Sequence, residues 1–276
     1  MLRTRFWGVR GSVPSPGPGT ARIGGNTSCV EVRCGPTLLV FDAGTGLRLL
    51  GADLAPEMPL TVHLFFSHVH WDHIQGFPFF APAFSHGNTI HMYGASGVAG
   101  TLESAMAGQM SSPNFPVKLN DLPCDLVFHD VMAKDALEID GTVQIRTAAG
   151  HHPGGVLAYR IDFEGKSVVY MTDTEHGSDA DRDLAELARG ADVLIYDAQY
   201  TPEEYEGSDL APRKVGWGHS TFVGGVKLAA SADVAQLVLF HHDPDQTDDA
   251  VREKESRARE LFPRSIAAYE GLVIEL

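Results

Sequence analysis

The chain has 276 residues, 43% hydrophobic and 21% charged, enough apolar content for a large core and too much for a disordered or fibrous protein. A net charge of −15 disfavours nonspecific contact with nucleic acid, DNA included, or with anionic membrane, and no run of 18 uncharged apolar residues is present. Three cysteines (Cys29, Cys34, Cys124) without Cys-x-x-Cys spacing argue against a disulfide framework, and the charged opening segment lacks a signal-peptide core, so a cytoplasmic location is expected.

In chain order, residues 1–50 carry six arginines against Glu31 and Asp42, a local surplus of +4 that suits a small anionic ligand. Residues 14–25, rich in Pro and Gly, read as a loop. Short apolar runs predict strands over 29–32, 37–42, 61–67, 89–93, 143–147, 156–161, 167–172, 193–198 and 236–240. Helical patterns lie between some of them: 97–110, 182–189 closed by Gly190, 221–231 behind a Ser220 cap, and 248–261 stopped by Pro263. The interleaving predicts an α/β architecture, and the absence of any composition shift predicts one domain over 1–276.

The thirteen histidines are the unusual feature of the composition, and several follow strand-like runs directly. After 61–66 comes Ser67-His68-Val69-His70-Trp71-Asp72-His73, an H-x-H-x-D-H pattern with four metal-ligating side chains in six residues. Imidazole and carboxylate without thiolate suit zinc, and manganese, iron or nickel accept the same N/O donors. One loop cannot close two metal shells, so further donors are expected at other strand ends. Ala149-Gly150-His151-His152-Pro153-Gly154-Gly155, Asp173 after 167–172, and His241-His242 after 236–240 supply them.

With these motifs the chain resembles the metallo-β-lactamase superfamily, and within it the phosphodiesterase branch that includes ribonuclease Z and cyclic-nucleotide phosphodiesterases. The resemblance runs from Phe6-Trp7-Gly8-Val9-Arg10-Gly11-Ser12 and Gly24-Gly25-Asn26-Thr27-Ser28-Cys29, through Phe41-Asp42-Ala43-Gly44-Thr45-Gly46 and the H-x-H-x-D-H, to Phe240-His241-His242. It implies an αββα sandwich, two mixed β-sheets face to face with helices outside. It also implies two divalent ions: His68, His70 and His152 on the first, Asp72, His73 and His241 on the second, Asp173 bridging. His151 and His242 remain the alternatives to His152 and His241. Asp42 is expected to orient a ligand histidine.

Gly216-Trp217-Gly218-His219-Ser220-Thr221 resembles the His-Ser-Thr segment of the ribonuclease Z-like branch, which implies that His219 assists phosphodiester cleavage as a proton donor, with Asp197 orienting it. A histidine serving only as a polar group at a helix start is the alternative. Asp72 is expected to be essential for catalysis as well as a ligand. Ribonuclease Z inserts a long basic arm between the ligand corresponding to His152 and the bridging aspartate, whereas twenty residues lie there in this chain. The expected reaction is therefore hydrolysis of a small phosphodiester, a 3′,5′-cyclic nucleotide first, to the monophosphate. RNA 3′-end cleavage and lactone or thioester hydrolysis are the alternatives. Phe77 and Phe80, in Gly-Phe-Pro-Phe-Phe-Ala-Pro-Ala-Phe, are candidates to stack a base, Arg10 and Arg22 to meet a phosphate, and the resemblance implies a homodimer.

Overall fold

The computed structural model describes residues 1–95 and 100–276. The first half forms β1 (Leu2–Gly8), β2 (Cys29–Cys34), β3 (Thr37–Phe41), α1 (Gly46–Asp53), β4 (Thr61–Phe65), the single-turn α2 (Trp71–Ile74), β5 (Thr89–Gly94), α3 (Leu102–Gln109) and β6 (Asp125–Asp130). The second half forms β7 (Ala136–Ile139), β8 (Val143–Ala149), β9 (Leu157–Phe163), β10 (Lys166–Met171), α4 (Asp181–Ala188), β11 (Val193–Asp197), α5 (Pro202–Glu206), α6 (Phe222–Ser231), β12 (Gln236–Phe240), α7 (Asp248–Leu261), β13 (Ser265–Ala267) and β14 (Val273–Glu275).

These strands build two seven-stranded sheets, ordered β14-β1-β2-β3-β4-β5-β6 and β13-β12-β11-β10-β9-β8-β7. Each is antiparallel in one half and parallel in the other: β3 to β6 run parallel, as do β10 to β13. Alternation along the strands explains the layers. In β10, Val168 and Tyr170 enter the core between the sheets while Val169 and Met171 pack under the outer helices; β12 divides Val238 and Phe240 from Leu237 and Leu239 in the same way. On the other sheet Phe65 points inward and Val62 and Leu64 outward, beneath α1 and α3. Strands covered on both faces carry uninterrupted apolar runs. This is the expected αββα sandwich of two mixed sheets.

All nine expected strands are present, and α7 matches its expected bounds. The helix expected over 97–110 is observed as Leu102–Gln109, capped by Thr101; positions 97–99 lie outside the described residues. The cap of α6 is Thr221, whose side chain accepts from Gly224 N, and not Ser220, whose hydroxyl instead donates to the Thr174 carbonyl. No helix of the described residues is long and apolar enough to cross a membrane.

Parallel strands put their carboxyl ends on one side, where ligand sites of α/β sheets collect. Asp42 leaves β3, Ser67 and His68 leave β4, Asp173 leaves β10, Asp197 ends β11 and His241 leaves β12.

Candidate metal centre

Three of these exit residues adopt left-handed backbone: Asp42 (φ 61°), Asp173 (φ 49°) and His241 (φ 57°). Such conformations cost on the order of 1–3 kcal/mol at a non-glycine residue and persist where the surroundings enforce them. Each turn swings a side chain from the strand end toward a common centre.

Two donor groups converge there, with ligand atoms in each within 4.8 Å of one another: His68, His70 and His152, and Asp72, His73, Asp173 and His241. Asp173 faces both groups. Its Oδ2 lies 3.7 Å from His68 Nε2, 3.8 Å from His152 Nε2 and 3.3 Å from His73 Nε2, and its Oδ1 lies 3.2 Å from His241 Nε2. Asp72 Oδ2 is 3.2 Å from both His73 Nε2 and His241 Nε2 and accepts the Ser12 amide at 2.7 Å. A third convergent set, Asp173, Asp197, His219 and His241, overlaps the second.

Most of the rings are turned by their other nitrogen, as ligand histidines usually are. His73 Nδ1 donates to Asp42 Oδ2 at 2.7 Å, His152 Nδ1 to the Gly218 carbonyl at 2.9 Å, and His241 Nδ1 to Gln199 Oε1 at 3.0 Å. His70 instead presents Nδ1, 3.1 Å from His152 Nε2. Asp42 is fully buried and also accepts from the Ser67 amide, the Ser67 hydroxyl and the Tyr170 hydroxyl, each at 2.7 Å. Gly11 leaves room for this packing: a Cβ there would lie 2.4 Å from the His241 ring.

The residues fit a pair of cations. His68 Nε2 and His73 Nε2 are buried without a hydrogen-bond partner, facing carboxylates. Burial holds His68, His70 and His152 below the usual imidazole range, the uncharged form that ligates. Burial opposes ionisation of Asp173, but the surrounding histidines, His241 and His73 first, outweigh it and hold the carboxyl well below the usual range. A buried, ionised carboxylate among imidazoles is a donor set for a divalent ion.

His219 stands beside both groups, its ring centroid 5.0 Å from those of His152 and His241. Its Nδ1 donates to Asp197 Oδ2 at 2.8 Å. Asp197, itself fully buried, also accepts the Gln199 amide and, at 3.3 Å, the Ser220 amide, so hydrogen bonds already occupy its oxygens. Burial lowers the basicity of His219, yet the facing Asp197, with Asp173 and Asp72, outweighs it and raises the imidazole to about 9.

The structure separates the two histidine alternatives. His151 is exposed and contributes its backbone, its carbonyl accepting the Glu175 amide. His242 is fully buried away from the donors, with Nε2 donating to the Ala268 carbonyl at 3.0 Å. Two further expectations need correction. Phe77 and Phe80 are fully buried in the core beneath α1, with Phe80 closing on Gly51, so neither can stack a base. Arg10 is fully buried and donates to the Gly24, Asp243 and Gln246 carbonyls, which keeps it from a substrate phosphate, while Arg22 lies on the surface paired with Asp248 and Asp249. Gln199 and Tyr170 belong to no motif, and the Ser12 amide and Gly218 carbonyl, though inside quoted motifs, are backbone groups whose role no side-chain pattern announces.

A cleft of about 440 Å³ opens on this centre, lined by Ser12, Val69, His70, Trp71, Asp72, Asp173 and His219. Trp71, one residue from two of the donors, is 81% exposed.

Residues 37–242 match the model of the Beta-lactamase superfamily domain. Ribonuclease Z of Bacillus subtilis is 26% identical, over 86% of this chain and 88% of that one. Among solved structures, the metallo-β-lactamase fold protein YhfI of Bacillus subtilis superposes with a TM-score of 0.73 at 19% identity, covering 100% of this chain and 99% of that one. A diphosphatase from the PhnP family superposes with a TM-score of 0.71 at 19% identity, covering 100% of this chain and 98% of that one.

Proposed function

The chain belongs to the β-lactamase superfamily, and we propose that within it this protein is a two-metal phosphodiesterase that hydrolyses a small phosphodiester, a 3′,5′-cyclic nucleotide first, to the nucleoside monophosphate. The observation that carries the reading is His219, its Nδ1 held by Asp197 and its ring 5.0 Å from one histidine of each convergent donor group. Lactone or thioester hydrolysis gives that dyad no evident task.

When bound, two divalent ions, zinc first, supply Lewis acidity that makes water nucleophilic near neutral pH and neutralises phosphoryl charge. His68, His70 and His152 would hold one and Asp72, His73 and His241 the other, with Asp173, which faces both donor groups, available to either. His219 gives a proton or hydrogen bond to the phosphoryl or leaving oxygen, and Asp197 stabilises the imidazolium and fixes its orientation.

Substrate size is argued from what lies between His152 and Asp173. β9 and β10 pair there as a tight antiparallel hairpin around Glu164-Gly165, which provides no arm for a large polyanion. The cleft volume and the net charge of −15 also suit a mononucleotide better than a transfer RNA, which needs many cationic contacts. A homodimer is part of the same reading.

RNA 3′-end cleavage is the second reading, favoured by the match to ribonuclease Z of Bacillus subtilis over most of its length. The test is to offer zinc- or manganese-loaded protein 3′,5′-cyclic AMP, 3′,5′-cyclic GMP and a precursor transfer RNA. Monophosphate formation with intact RNA is the expected result; RNA cleavage without cyclic-nucleotide turnover would replace the first reading by the second.

A further inference from the structure

Two residues after Asp173, Glu175 is buried and makes none of the contacts of a ligand. Its Oε1 accepts the Gly216 amide at 2.7 Å and the Tyr205 hydroxyl at 2.6 Å, and its Oε2 accepts the Gly218 amide at 2.9 Å. Its own amide donates to the His151 carbonyl at 2.9 Å. One residue therefore joins the exit of β10 to the loop that carries His152 and to the loop that carries His219.

The second loop needs such a tie. It leaves α5 at Gly207, runs through the exposed Leu210, and turns at Gly216 (φ 85°) and Gly218 (φ 86°) before reaching His219. Gly218 is the point of closest approach: its carbonyl accepts His152 Nδ1, and a Cβ in its place would lie 2.3 Å from that nitrogen. Where the Gly218 peptide sits thus decides both how His152 is turned and where His219 begins.

We propose that Glu175 is a positioning residue that locks the Gly216–Gly218 backbone onto the strand bearing Asp173, and so sets His152 and His219 in register with one another. The kinetic part rests on the phosphodiesterase reading; the metal-binding part does not. Glu175→Gln is the discriminating change. An amide placed on the same atoms keeps one acceptor, but at the other position it turns an –NH2 toward an N–H, so two donors face each other. Outer contacts that orient a ligand histidine commonly change metal affinity or activity by about 10–100-fold.

The test measures zinc affinity by competition with a chromogenic chelator, and kcat and KM on cyclic AMP, for wild type, Glu175→Gln and Glu175→Asp. Expected for Glu175→Gln are about 10-fold weaker binding of one of the two ions and a kcat reduced about 10–100-fold with KM within about threefold. Glu175→Asp, which keeps the carboxylate, should recover part of both losses, and it carries the test if the glutamine variant fails to fold. Unchanged zinc affinity and kcat in Glu175→Gln, or an aspartate variant no better than the glutamine one, would overturn the proposal. Should wild type hydrolyse no phosphodiester, the functional reading fails, and the zinc competition still decides on Glu175.

Discussion

Asp42 concentrates the demands that the centre places on one residue. It is fully buried, has left-handed backbone, and accepts four hydrogen bonds, one of which holds the His73 ring. Asp42→Asn turns one acceptor into a donor facing donors, so the His73 ring loses its fixed orientation. We expect about 10–100-fold weaker binding of the ion held by Asp72, His73 and His241, with the other ion retained, read by calorimetric zinc titration. Equal weakening at both sites would contradict this assignment, since Asp42 reaches the first donor group only through the Ser67 hydroxyl, 3.1 Å from His68 Nδ1. The seven converging donors were legible because each is a metal-ligating type of side chain beside a strand end or inside H-x-H-x-D-H. The contacts that aim them were not: the Ser12 amide and the Gly218 carbonyl are backbone groups present at every residue, and Gln199 belongs to no spaced pattern.

At the scale of elements, β4, β5 and β6 place three histidines side by side on the inner face, away from the metal centre. His63 and His91 stack at 4.9 Å, and His91 Nδ1 lies 3.0 Å from His129 Nε2. His63 faces Asp140, 3.6 Å away, and the Tyr93 hydroxyl. Burial pushes the His63 imidazole down to about 4; Asp140 opposes this and the neighbouring histidines reinforce it. Because the folded value lies below the ordinary 6.5, the unfolded chain binds the proton first. Stability is therefore full above about pH 6.5 and falls toward pH 4, by up to about 1.4 kcal/mol per pH unit from this group. Urea unfolding of the metal-free protein at pH 7.5 and 5.0 should show a smaller drop for His63→Gln than for wild type; equal drops would refute the assignment.

The strands of both sheets also show what pattern reading can reach. β3, β10, β11 and β12 are buried on both faces and read as continuous apolar runs. β1 escaped because its inward residues Leu2, Thr4 and Phe6 alternate with Arg3 and Arg5, and β6 because Asp125, His129 and Asp130 interrupt it. β13 and β14, three residues each, are too short to carry a period. Phe77 and Phe80 looked like a stacking surface because an aromatic cluster reads the same in a core as at a rim.

For the whole molecule, the net charge of −15 and the tight β9–β10 hairpin are what support the proposed small substrate. Raising salt from 50 to 200 mM should change KM for a cyclic nucleotide by less than about threefold, whereas a protein gripping six to ten phosphates loses about 10³–10⁵ in affinity over that range. A steep salt dependence would point to an extended polyanion. The central claim, that paired metal sites act with a proton donor fixed by Asp197, is tested most directly by cyclic AMP hydrolysis in the His219→Ala variant with its metal content measured on the same sample. We predict two ions per chain and a turnover reduced about 10²–10⁴-fold. Full turnover with both ions bound would contradict the account.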